Sequence, residues 1–294
     1  MATISPEVLR QVKGIELRTR GLVTSLFAGE YRSVFRGQGM EFAEVRAYQD
    51  GDDFRSIDWN VSARLASPYV KIFSEERELT LLLLVDQSGS THFGHPMTKA
   101  ALAVEVAAVL ALAAARQNDR VGGLLFAETV ERVVPPAKNR RHALRLIRDL
   151  VAFAPKGIRT NLAGSLTYAN DLLKHHSIVV VLSDFFADGW EQPIRRLAAR
   201  HDVVAITLDD RRERELPEGG WVDLEDAETG RRLLVDAGDA RVRARVAHLA
   251  KRRREERTRI LRAAGVDVVP LETGIDYAIP LRRAFALRAR RLHR

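Results

Sequence analysis

Residues 79–90, LTLLLLVDQSGS, constrain the fold more than any other stretch. From Thr80 to Val85 the side chains do not alternate between apolar and polar. A strand of this kind needs cover on both faces, as in a parallel sheet between helical layers. The run is too short to cross a bilayer. It ends in Asp86, Ser88 and Ser90, at every second position. In an open parallel sheet, ligands bind just beyond the carboxyl ends of the strands. One carboxylate and two hydroxyls there are hard oxygen donors of the kind that suit Mg²⁺ or Mn²⁺.

The rest of the chain supplies the layers. Val8, Val12 and Ile15 recur at helical spacing over residues 5–28. Leu22 and Leu26 extend the face, and Gly14 and Gly21 argue against one unbroken helix. Residues 29–39 are turn-rich and 41–48 are a strand or irregular. Residues 53–63 are a short helix anchored by Trp59, in a core or between domains, and 69–75 alternate like a strand. Further helices are expected over 97–116, 140–153, 162–174, 191–201, 240–264 and 275–290. Strands are expected over 119–126, 177–183, 203–208 and 266–271. An edge strand at 129–134 is stopped by Pro135 and Pro136, and a hairpin lies within 212–236. Strands alternating with helices give an α/β fold, a doubly wound, mostly parallel sheet with helices on both faces. The expected division is an added amino-terminal subdomain, 1–78, before the sheet domain, 79–294, which carries the hairpin as an insertion near 212–238.

Composition narrows the function. Cysteine is absent, which rules out disulfides and thiolate metal sites. Net charge is +8, and arginine is dense over 241–262 and 282–294. Arg252 and Arg253 are therefore candidate partner-binding residues, as part of a surface for an acidic partner. Aromatics make up 6% and are not interleaved with the basic runs, so nucleic-acid binding is possible but not favoured. Residues 1–30 carry charges throughout and no segment is of membrane-spanning length, so a cytoplasmic location is expected. No GxxxxGK[ST], G-x-G-x-x-G or G-x-S-x-G pattern occurs, and no catalytic residue is assigned.

A family resemblance sharpens this reading. RGQGMEFAEVRAYQDGDDFRSIDWNVSARL, followed by a charged strand and DQSGS, strongly resembles the bacterial domain-of-unknown-function-fifty-eight family over about residues 35–290. The resemblance implies a von Willebrand factor A-like fold. It also implies an adaptor that works with a MoxR-type ATPase in assembling or remodelling client proteins. Many relatives carry two amino-terminal membrane helices; no such segment is seen here, and a membrane anchor is not carried over.

DxSxS is similar to the metal-ion-dependent adhesion site of von Willebrand factor A domains. The resemblance implies three loops around one Mg²⁺ or Mn²⁺: Asp86, Ser88 and Ser90 first, Thr160 of GIRTNLAGSL second, and Asp184 of VVVLSDFF third. Ser88 and Ser90 would ligate directly, Asp86 and Asp184 would act through water or charge, and Thr160 would switch between direct and water-mediated contact. A remaining position would accept a partner's acid, which is adhesion without catalysis. The alternative is a Mg²⁺-dependent phosphoesterase or nuclease. An aspartyl nucleophile of that kind wants a second acid two residues on, where Ser88 stands. Elsewhere, Asp50, Asp52 and Asp53 are expected to pair with Arg46, Arg55 and Arg64. His92 and His95 are expected in solvent, and His175 and His176 are expected to cap a helix.

Overall fold

The computed structural model of the protein describes residues 6–27, 41–74 and 79–292. The turn-rich reading of 29–39 lies outside the described residues. The chain forms two compact units, one of residues 35–79 and one of 1–34 with 80–294.

The larger unit is built on a six-stranded sheet. Its strands are β3 (Thr80–Asp86), β4 (Arg120–Phe126), β5 (Val130–Ala137), β6 (Ile178–Ser183), β7 (Asp202–Asp209) and β10 (Asp267–Glu272). Their order is β10-β7-β6-β3-β4-β5. All neighbours run parallel except β4 and β5, which are antiparallel. From Leu81 to Val85, β3 has no exposed surface, as its unbroken apolar run requires.

Helices cover both faces, so the expected fold class is the observed one. Leu82 and Leu84 of β3 pack with Val179 and Val181 of β6 against α5 (Leu162–Leu172), α6 (Glu191–Arg200) and Leu261 of α7 (Ala240–Ala263). The opposite face carries α3 (Lys99–Arg116) and α4 (Arg140–Val151). A Cβ on Gly123 would come within 2.6 Å of Leu146, so the bare backbone of β4 lets α4 lie close. The last helix, α8 (Ala278–Leu292), packs on β10. α1 (Pro6–Phe27) lies across α3 and α4 and therefore groups with the sheet, not with the segment that follows it. That explains why α3 is apolar on nearly every side, Lys99, Glu105 and Arg116 apart, since it is buried between two layers. Val12, Ile15, Thr19 and Val23 are the buried face of α1, and Arg18 bonds Glu105 of α3 at 2.5 Å. Gly14 and Gly21 do not break α1, because packing outweighs their weak helix preference. The side chains of Leu22 and Leu26 lie outside the described residues.

The smaller unit has an antiparallel pair, β1 (Glu41–Ala47) and β2 (Tyr69–Ser74), joined through α2 (Trp59–Leu65). Arg46 grips Asp52 with both guanidinium nitrogens, at 2.8 and 2.7 Å. Asp53 and Asp58 accept from backbone amides at the starts of a short 3₁₀ turn and of α2. Of the expected pairings, Arg46 with Asp52 is the one formed among the described residues, while Asp53 takes the Arg55 backbone amide and not its guanidinium. Trp59 corrects one expectation: it is 70% exposed and anchors no core.

Two further readings are corrected. Pro135 and Pro136 lie inside β5 and do not stop it, because β5 is an edge strand and its pairing with β4 shifts register at these two residues. His175 and His176 lie beyond α5, whose last turn holds no basic residue. His176 instead faces His201 at 6.5 Å between ring centres.

His201 is 4% exposed, and neither ring nitrogen has a hydrogen-bond partner among the described residues. Burial first, then Arg200 and His176, push its pKa down to about 4. The fold therefore holds this ring neutral. That contribution is complete above the unfolded pKa of about 6.5 and is lost as pH falls towards the folded value. Between those limits the wild type should lose about 3 kcal/mol more stability than His201→Leu. Urea midpoints measured across the range check this, and parallel pH profiles would refute it.

Candidate functional site

Strand order reverses between β3 and β6, since the chain leaves β3 to build β4 and β5 on one side and later adds β6, β7 and β10 on the other. The crevice at such a switch point is where open α/β sheets bind ligands. Asp86 ends β3 there, and Ser183 ends β6 beside it, with Asp184 the next residue.

Asp86 is fully buried. Its Oδ1 accepts from the Ser88 hydroxyl at 2.7 Å and the Ser88 amide at 3.0 Å, and its Oδ2 accepts from the Ser183 hydroxyl at 2.6 Å. Ser90 Oγ lies 3.2 Å from Ser88 Oγ. Burial, and then the charge of Asp184, push the Asp86 carboxyl up to about 7 despite these bonds.

Asp184 is 1% exposed and is met by a cation from the chain itself. Lys99 Nζ donates to its Oδ2 at 2.7 Å and also bonds Glu213, while the Phe186 amide donates to its Oδ1 at 3.1 Å. Burial works against the Lys99 charge, and Asp184 and Glu213 more than offset it, so its pKa lies above the usual lysine range. Phe185 adopts a left-handed backbone, φ 57°. Its ring meets Trp190 edge-on at 5.2 Å, while Phe186 is 40% exposed. Behind this loop, Arg257 donates to the Asp184 carbonyl at 2.7 Å and to both oxygens of Asp209 at 3.1 and 2.9 Å.

The loop carrying Thr160 joins the first loop through the Gly89 amide, which donates to the Ile158 carbonyl at 2.7 Å. Thr160 itself is held by the hairpin β8 (Trp221–Glu225) and β9 (Arg232–Asp236). Its amide donates to Glu228 Oε2 at 3.2 Å and its hydroxyl to Glu228 Oε1. A Cβ on Gly89 would lie 2.5 Å from the Ala227 carbonyl oxygen, so the hairpin turn rests directly on the site loop. Gly89→Ala should lift that turn. Hydrogen exchange should quicken at Glu228 and Thr229, and unchanged protection there would count against the packing described.

The structure therefore brings Asp86, Ser88, Ser90 and Asp184 to one sheet end and sets the Thr160 loop against them. Arg252 and Arg253 lie on the exposed face of α7 and, with Ser90, line an open cleft of 1260 Å³. That cleft is also lined by Glu225, Asp226, Glu255 and Glu256, so it is not a purely basic surface. His92 and His95 are exposed. Among the described residues no three His, Cys, Asp or Glu side chains cluster to hold a metal ion, so any ion here would depend on hydroxyls. No described helix is long and apolar enough to cross a membrane. Sequence reasoning missed Lys99, Ser183, Glu213, Glu228 and Arg257. Only Lys99 carried a signal, as a lone cation opening an alanine-rich helix whose other faces had to be buried.

The model of the family described as "Protein of unknown function DUF58" matches residues 44–256. The chain belongs to that family. It is similar to "Uncharacterized protein Mb1516" of Mycobacterium bovis, 33% identical over 293 residues, covering 97% of this chain and 91% of the relative. Among solved structures, BatB from Bacteroides thetaiotaomicron is similar over 72% of this chain and 99% of its own, with 13% identity and a TM-score of 0.47. The VWA domain of SpRpn10 is similar over 70% of this chain and 94% of its own, with 12% identity and a TM-score of 0.38. The von Willebrand factor A-like assignment rests on the strand order, the antiparallel edge and the two helical layers.

Proposed function

We propose that this protein is a non-enzymatic, metal-ion-dependent binding module that takes an acidic side chain of a protein partner. One observation carries the reading. A fully buried carboxylate, Asp86, lies at the sheet switch point, and among the described residues only neutral hydroxyls and an amide bond to it. A buried carboxylate without a cation is costly, and a hard divalent ion with oxygen ligands removes that cost. The donors present suit Mg²⁺ or Mn²⁺. Ser88, Ser90 and Asp86 would hold the ion, with Thr160 from the adjoining loop. The ion would supply a Lewis-acidic position for a partner carboxylate. Ser88 takes the place where an aspartyl nucleophile would need its second acid, which favours binding over phosphoryl chemistry.

The proposed partner is a MoxR-type ATPase or a client protein, as the resemblance read from the sequence implies. Arg252 and Arg253 would steer association and would be screened by salt. The test is binding kinetics against that ATPase, with Mg²⁺ and with EDTA. Ser88→Ala with Ser90→Ala should lose partner binding and keep the fold, while charge reversal at Arg252 and Arg253 should mainly slow association. Equal affinity in EDTA and in the double serine variant would end the metal-bridge reading.

A further inference from the structure

We propose that Lys99 is the resident counter-cation of this site, assigned to Asp184, and that it sets how tightly a divalent ion is held at Asp86. The inference rests on the metal-dependent reading above and partitions its charges. Lys99 opens α3, is fully buried, and points its ammonium at the carboxyl ends of the strands. A buried ammonium persists only where carboxylates surround it. Asp184 lies 2.7 Å away, Glu213 is its second partner, and the Phe186 ring lies 5.3 Å from the nitrogen. Both oxygens of Asp184 are thereby engaged within the chain, one by the ammonium and one by the Phe186 amide. The contrast with Asp86 is direct. None of the groups that bond Asp86 carries a charge.

The two acids at the switch point thus have different owners. Lys99 neutralises Asp184, so the fold keeps that acid buried without an ion and leaves Asp86 as the acid to which a divalent ion answers. The same positive charge repels a divalent ion bound through Asp86, Ser88 and Ser90. Lys99 is therefore a specificity-determining residue: it makes the ion weakly held and exchangeable.

The experiment is Mn²⁺ titration of the full chain by calorimetry, with melting curves at rising Mn²⁺, for wild type, Lys99→Met and Glu213→Gln. Lys99→Met should bind Mn²⁺ at least about tenfold more tightly, and its melting midpoint should climb with Mn²⁺ more steeply than that of the wild type. Glu213→Gln leaves the ammonium with one fewer acid and should bind more weakly, a change of opposite sign. If wild type and Lys99→Met bind Mn²⁺ equally, Lys99 has no part in ion binding and the site reading stands. If no variant binds Mn²⁺, the site reading itself fails and this inference with it. Should Lys99→Met fold only with Mn²⁺, the proposal is supported. Should it stay unfolded in both conditions, Glu213→Gln decides, and unchanged affinity there overturns the proposal.

Discussion

Replacing Arg257 with methionine is expected to lower stability by about 3–5 kcal/mol. The guanidinium is 5% exposed and binds both oxygens of Asp209, itself 2% exposed, while a further donor reaches the Asp184 carbonyl. It ties the end of β7 to the loop after β6 from the buried face of α7. Removing it leaves the Asp209 carboxylate, among the described residues, with only Arg254, at 2.9 Å, whose side chain is far more open to solvent. A buried acid that loses its charged, hydrogen-bonded partner costs more than the pair was worth in place. Arg257→Lys should recover only part of the loss, since an ammonium cannot span two carboxylate oxygens and a carbonyl at once. Urea denaturation of the three proteins checks the order, and a loss below about 1 kcal/mol for methionine would refute the account.

Asp86→Ala is expected to abolish Mg²⁺ and Mn²⁺ binding, because it removes the carboxylate to which the proposed ion answers. At a hundred times its dissociation constant, the ion should stabilise the wild type by about 2.7 kcal/mol, and this increment should vanish in the variant. The metal-free proteins should differ much less, since the buried carboxyl loses its hydrogen bonds and its burial penalty together. Calorimetry alongside melting curves checks this. Equal binding by the variant would remove Asp86 from the ion's shell.

Elements whose apolar pattern decides their place were legible in the sequence. β3 and β6 read correctly as doubly covered strands, and the hairpin around Thr229 and Gly230 was visible from its turn residues. The errors share a cause: local rules were applied where tertiary context wins. Pro135 and Pro136 looked like a stop signal, but the edge position tolerates them. Trp59 looked like an anchor because large aromatics usually are, but exposure depends on which face a short helix turns away. At the site, Asp86, Ser88 and Ser90 announced themselves by close spacing. The partners of Asp184 and Thr160 did not, because Lys99 and Glu228 arrive from 85 and 68 residues away, and Glu213 meets Lys99 from 114 residues away. Such long-range charge pairing leaves no local periodicity to read.

The two edges of the sheet have a further consequence. One outer strand, β5, contains Pro135 and Pro136, and the other, β10, contains Pro270. Proline offers no amide hydrogen, so an approaching extended segment meets a broken row of donors on either side. The sheet is therefore closed to growth by strand addition. The six-stranded sheet is thereby guarded against edge-to-edge pairing between copies of this chain along either outer strand.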